Sequence, residues 1–118
     1  MIFCNMHKEL NLNGRIWFET ADGKLMGHGR VELLERIQQS GSLRQAALQM
    51  KMSYRQAWDI INYMNEHFGS PVVISQRGGK GGGKAELTEK GLKAIEQFKL
   101  FHVKFKEFLK ENSPLIQV

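Results

Sequence analysis

The sequence predicts an α+β domain, and three observations carry that prediction. Two serine-led helical segments stand close together in the middle of the chain. A β-branched run and a glycine-rich loop come directly after them. A long amphipathic segment then follows.

Leu10, Leu12, Ile16 and Phe18 fall at even positions, the period of a half-buried strand. The N-terminal strands are therefore expected over 10–27. Asn13-Gly14 and Asp22-Gly23 are the two candidate hairpin turns. Asp22-Gly23 is the tighter, pairing Arg15–Thr20 against Lys24–Met26, with Trp17 facing away from Ile16 and Phe18.

Helix one is expected over 29–40. Val31, Leu34 and Ile37 recur at helical spacing, Glu32 and Arg36 form an i,i+4 pair, and Gly41 provides the stop. Helix two is expected over 42–51. Ser42 caps it with Gln45 at capping-box spacing, and Leu43, Ala46, Ala47 and Met50 form its apolar stripe. Ser53 and Gln56 repeat the same start signal for helix three, over 53–68. Its inward stripe is Ala57, Ile60, Ile61, Met64 and Phe68, and Gly69 and Pro71 end it. Trp58 borders this stripe and is read as core.

Lys51 stands where the turn between two such helices usually has glycine. A left-handed backbone costs lysine about 1 kcal/mol relative to glycine. The sequence therefore predicts either a positive φ at Lys51 or a slightly extended helix two.

"PVVISQR" reads as a strand and "KAEL" as its return, forming a hairpin over 71–87 with a glycine-rich tip. Thr88 and Glu89 open the last helix, expected over 88–112. On it Ala94, Phe98, Phe101, Phe105 and Phe108 are spaced 4, 3, 4, 3, the seam of a helix-pair interface. A second stripe of Leu92, Ile95, Val103 and Leu109 makes the helix apolar on more than one side. One side is expected to pack on its own domain and the other on a second copy. The competing reading is that the phenylalanine stripe is only core.

The chain has 118 residues, so a single domain, 1–118, is expected. A lone cysteine, Cys4, leaves no internal disulfide and no thiolate cluster. No apolar run approaches the roughly 18–20 residues that span a bilayer, and "MIFCNMHKEL" is unlike a signal peptide. The expectation is a soluble cytoplasmic protein without membrane partners.

The formal net charge is +5, and it is unevenly spread. Residues 1–40 carry five basic and five acidic side chains, residues 41–84 six and two, and residues 85–118 six and five. A basic middle suits a polyanion such as nucleic acid. The competing reading is a solvated basic face.

Two short helices joined by a tight turn and followed by a strand hairpin make a winged helix-turn-helix. In that arrangement Ser53, Tyr54, Arg55 and Gln56 stand at the exposed start of the recognition helix, and Asp59 and Asn62 extend the same side. Arginine pairs with guanine O6 and N7, and glutamine with adenine. Ser42, Arg44 and Gln45 are placed to touch backbone phosphates, which set register. Against this, Arg55 and Asp59 at i,i+4 can simply pair with each other, and Tyr54 can pack on the domain.

Gly78-Gly79-Lys80-Gly81-Gly82-Gly83-Lys84 also fits the G-x-x-x-x-G-K spacing of a nucleotide-binding loop. That loop needs Ser or Thr after its lysine and a helix directly behind it. Here Ala85 follows, and a strand is expected. A wing suits the segment better: Arg77, Lys80 and Lys84 supply charge, and Gly78, Gly79, Gly81, Gly82 and Gly83 allow close backbone approach.

The four histidines show no ligand spacing, and no nucleophile–base arrangement stands out. No enzyme activity, metal or cofactor is expected.

The motifs Gly41-Ser42, Ala46-Ala47, Ser53-Tyr54, Ala57-Trp58-Asp59, the Gly78–Gly83 loop, and Leu87-Thr88 with Gly91 resemble the N-terminal DNA-binding domain of the molybdate-responsive regulator family, ModE. More distantly, the pattern is similar to the LysR-type reader domain. The resemblance implies a homodimeric transcriptional regulator on palindromic double-stranded DNA. It also implies helix three as reader, the glycine loop as wing, and dimerisation through helices of this domain. Full-length members carry C-terminal oxyanion-binding domains beyond a segment of this length, so no small-molecule effector site is expected here. The runner-up function is a winged-helix protein-interaction module without specific DNA binding.

Overall fold

Serine and threonine caps set where the helices begin. In the computed structural model, which describes residues 9–76 and 83–118, Ser42 Oγ accepts the Gln45 N–H at 3.1 Å. Ser53 Oγ accepts the Gln56 N–H at 3.0 Å, and Thr88 Oγ1 the Gly91 N–H at 3.1 Å. Each bond satisfies one of the amide donors a helix start leaves unpaired. The helices are α1 (His28–Ser40), α2 (Leu43–Gln49), α3 (Tyr54–His67) and α4 (Glu89–Asn112). The strands β1 (Phe18–Thr20) and β2 (Gly23–Met26) precede α1, and β3 (Val73–Gln76) and β4 (Lys84–Leu87) lie between α3 and α4. A short 3-10 turn, Ser113–Leu115, follows α4. This is an α+β winged helix-turn-helix with a long C-terminal helix.

The stops are glycine where expected. Gly41 sits at φ +70° and returns its N–H to the Ile37 carbonyl at 2.7 Å. Between α2 and α3 the strained alternative is realised. Lys51 takes φ +57°, and α2 is not extended but ends at Gln49. Met52 N–H then reaches back to the Ala47 carbonyl at 3.0 Å, which closes the turn.

The core forms where these elements converge. Leu33, Leu34 and Ile37 of α1, Ala46 and Ala47 of α2, and Ala57, Ile61 and Met64 of α3 are buried together with Met26, Val72, Val73, Ala85 and Phe98. Burying a large aliphatic side chain contributes about 1.5–3 kcal/mol, so this one cluster is what orients α2 against α3.

β3 and β4 pair antiparallel, Val73 against Leu87 through Gln76 against Lys84. The hairpin is anchored twice. Ala85 donates its N–H to the Gly41 carbonyl at 2.9 Å, tying β4 to the end of α1. Asn65 of α3 accepts from the N–H groups of Val72 and Val73 at 2.8 and 3.1 Å and donates to the Val73 carbonyl at 2.9 Å.

The N-terminal region departs from expectation. Strand structure is confined to Phe18–Thr20 and Gly23–Met26, and residues 9–17 are irregular. The hairpin turn is Ala21-Asp22 rather than Asp22-Gly23. Gly23, at φ +128°, pairs with Thr20 as the first residue of β2, and the register shifts between Phe18 and Glu19. The irregular segment lies against α4 instead of another strand. Leu12 N–H bonds Ser113 Oγ at 2.9 Å, and Gly14 faces the Phe105 ring so closely that a Cβ there would stand 3.0 Å from its tip. Of the even-numbered apolar residues, Ile16 and Phe18 pack against the core while Leu10 and Leu12 are exposed, so they do not share one strand face.

α4 is 24 residues long, about 36 Å. Its first half packs on the core and its second half runs beyond it. The molecule measures 72 × 27 × 23 Å, and its radius of gyration, 19.1 Å, exceeds the roughly 13–14 Å of a compact domain of this length. The phenylalanine seam divides accordingly. Ala94 and Phe98 are buried in the chain's own core, Phe98 only 2% exposed, so they do not present a surface. Phe105 is half-buried beside Gly14, whereas Phe101 and Phe108 are 45% and 52% exposed. Phe18 packs edge-on against both Phe98 and Phe101, at 5.6 and 6.2 Å between ring centres.

Candidate nucleic-acid interface

The apolar stripe of α3 fixes which side of the helix faces outward. Ala57, Ile61 and Met64 are buried, so residues turned well away from that row point to solvent. Arg55, Asp59 and Asn62 all lie on this outer side, and all three are exposed. Ser53, Tyr54 and Gln56 are exposed at the helix start.

Within this group the arginine is already engaged. Arg55 Nε lies 3.3 Å from Asp59 Oδ1, the i,i+4 pairing that competed with a reading role. The pair is open to water, with the arginine side chain 81% and the aspartate 58% exposed. An exposed pair of this kind contributes little stability. The contact uses Nε, so the bond to Asp59 occupies neither terminal nitrogen of the guanidinium.

α2 adds a second cation beside the first. The Arg44 guanidinium stands 5.2 Å from the centre of the Tyr54 ring, within cation–π range. Tyr54 is thus held by Arg44 while remaining 46% exposed, so it does not pack into the domain. Gln45 is exposed beside Arg44, and Ser42 is half-buried as the cap of α2. The cap bonds at Ser42 and Ser53 use an oxygen lone pair and leave each hydroxyl hydrogen free to donate.

The wing residues Gly83 and Lys84 are exposed at the start of β4. Arg77, Gly78, Gly79, Lys80, Gly81 and Gly82 lie outside the described residues. The chain after Lys84 is strand, and Ala85 directs its amide to Gly41. No helix N-terminus stands behind Lys84, so the nucleotide-loop reading lacks the element that would cradle a phosphate.

Trp58 corrects the sequence reading. It is 45% exposed, on the outer flank of α3, with the Arg55 guanidinium 5.9 Å from its ring. One residue along a helix is a turn of about 100°, which carries Trp58 from the buried Ala57 to the side of Arg55. Bordering the inward stripe suggested core, but the same angle sets Trp58 off that stripe. Tyr54, Arg55 and Trp58 together line a shallow cleft.

Two further structural roles were missed. Asn65 carries the wing on α3. Gly91 lets the start of α4 lie directly on the Val72 carbonyl, because a Cβ there would overlap that oxygen. Among the described residues, no group of three or more His, Cys, Asp and Glu side chains is placed to hold a metal ion. No helix among them is long and apolar enough to cross a membrane.

The fold and this surface define a winged-helix domain whose α3 carries a polar, arginine-bearing outer side. Comparison with known proteins makes the relationship particular. The chain is 32% identical over 95 residues to the molybdenum transport protein ModE of Azotobacter vinelandii, an alignment covering 80% of this chain and 35% of that protein. It is 43% identical over 76 residues to the molybdenum-pterin-binding protein MopB of Rhodobacter capsulatus, covering 64% and 28%. It is 44% identical over 71 residues to the DNA-binding transcriptional dual regulator ModE of Escherichia coli K12, covering 60% and 27%. The resemblance to the ModE family is thereby borne out over most of the chain, which spans about a third or less of the length of these relatives. No protein-family model matches. Among solved structures, ArgP from Mycobacterium tuberculosis aligns over 69% of this chain and 28% of its own, with 16% identity and a TM-score of 0.49, too slight a likeness to argue from.

Proposed function

We propose that this chain is a sequence-specific, double-stranded DNA-binding unit of a transcriptional regulator, and not an enzyme. It acts as a homodimer on a palindromic site and is linked to molybdate or oxyanion metabolism through its relatives. The observation that carries this reading is the outer side of α3. Tyr54, Arg55, Gln56 and Asn62 stand exposed there, while Ala57, Ile61 and Met64 lock the same helix into the core. A helix held that way presents its polar residues at fixed positions, which is what reading base edges in a major groove requires.

Arg44, Gln45 and Ser42 on α2, with Lys84 and the glycine-rich wing tip, supply phosphate contacts. The exposed Phe101 and Phe108, one heptad apart on α4, form the surface that a second copy covers. Two-fold pairing there would set two recognition helices on two half-sites.

Equilibrium binding to duplexes drawn from a random-sequence pool, measured across salt concentrations, tests the proposal. Several phosphate contacts release counterions, so affinity falls steeply with salt. A flat response, or no enrichment of any sequence, would contradict it and favour a protein-interaction module.

A further inference from the structure

Tyr54 and Trp58 are large aromatic residues at i,i+4 on the exposed side of α3, with Arg55 beside both. Among the described residues, Tyr54, Arg55 and Trp58 alone line this cleft, and it is open to solvent. Such rings left on a surface exclude water only when a partner brings apolar area to them. The charges around the cleft are also arranged in a particular way. Asp59 takes Arg55 Nε at 3.3 Å, and Trp58 lies 5.9 Å from the guanidinium. The Nε contact with Asp59 leaves the two terminal nitrogens for another partner, on a side chain that is 81% exposed.

Two chemistries are then adjacent: an arginine fork that matches guanine O6 and N7, and an apolar ring edge beside it. In the major groove the apolar feature on a base edge is the thymine C5 methyl. Resting on the regulator reading above, we propose that Arg55 and Trp58 together read a guanine and its neighbouring thymine, with Trp58 against the thymine methyl. Tyr54 closes the other side of the cleft under Arg44, and Asp59 is a positioning residue for Arg55. Trp58 is then a specificity-determining residue, although its place beside the inward stripe suggests core.

The test removes the methyl and nothing else. A duplex selected from a random pool by the wild-type protein is prepared with thymine, and again with uracil replacing each thymine in turn. Wild-type affinity is expected to fall about three- to fivefold at the thymine beside the guanine that Arg55 reads, the effect of one buried methyl. Trp58→Ala is expected to bind the thymine and uracil duplexes alike; Trp58→Gln serves the same comparison should the alanine variant fail to fold. If wild type binds the thymine and uracil duplexes equally at every position while keeping sequence preference and salt dependence, this inference fails and the regulator reading stands. Retained discrimination in the Trp58 variant overturns the assignment to that residue. Absence of binding to any duplex overturns both.

Discussion

The carboxamide of Asn65 holds the backbone of Val73 from both sides, accepting its N–H at 3.1 Å and donating to its carbonyl at 2.9 Å. It also accepts the Val72 N–H at 2.8 Å. One side chain therefore fixes where β3 begins relative to α3, and with it where the β3–β4 hairpin lies relative to that helix. Asn65→Ala leaves two amides at buried residues without this partner, at about 1–3 kcal/mol. Chemical denaturation is expected to show that loss. Binding to a selected duplex is expected to weaken as well, since wing and helix no longer hold one geometry.

Gly91 meets the same strand start from the other side. A methyl group there would overlap the Val72 carbonyl oxygen, which also accepts the Thr88 N–H at 3.0 Å. Gly91→Ala is expected to destabilise the fold by about 1–3 kcal/mol, the range for overpacking a filled site. An unchanged denaturation midpoint would show that α4 can back away without penalty.

Lys51 offers a change of the opposite sign. Its φ of +57° is a backbone conformation in which glycine carries no Cβ strain. Lys51→Gly is expected to raise stability by up to about 1 kcal/mol, reduced by the greater freedom glycine has when unfolded. The thermal midpoint reads the sign directly.

The two ends of the phenylalanine seam are expected to respond differently. Phe101 and Phe108 are about half exposed, so Phe101→Glu with Phe108→Glu is expected to leave the chain folded and to abolish the proposed self-association, read by sedimentation equilibrium. Phe98 is buried, and Phe98→Ala is expected to cost about 3–5 kcal/mol of folding stability. A double glutamate variant that remains dimeric would place the interface elsewhere.

These responses also mark what the sequence could and could not reveal. Helix starts were legible because Ser42, Ser53 and Thr88 act within three residues of themselves. The outward side of α3 was legible because Ala57, Ile61 and Met64 repeat at helical spacing. Asn65 and Gly91 were not, since each owes its role to Val72 or Val73, brought there by the fold. Leu10 and Leu12 were misread as strand because their true neighbour is the distant end of α4. Ala94 and Phe98 share a period with Phe101 and Phe108, and only the point where α4 leaves the core separates the two sets.

Under the proposed function, Arg55 reads a base while Arg44 and Lys84 grip the backbone. Competitive binding of a selected duplex and a scrambled one tests it most directly, in wild type, Arg55→Ala and Arg44→Ala with Lys84→Ala. Arg55→Ala is expected to lose about 1–3 kcal/mol of preference for the selected duplex while still binding both. The double variant is expected to weaken binding to both duplexes alike and to flatten the salt dependence. Undiminished preference in Arg55→Ala would contradict the account.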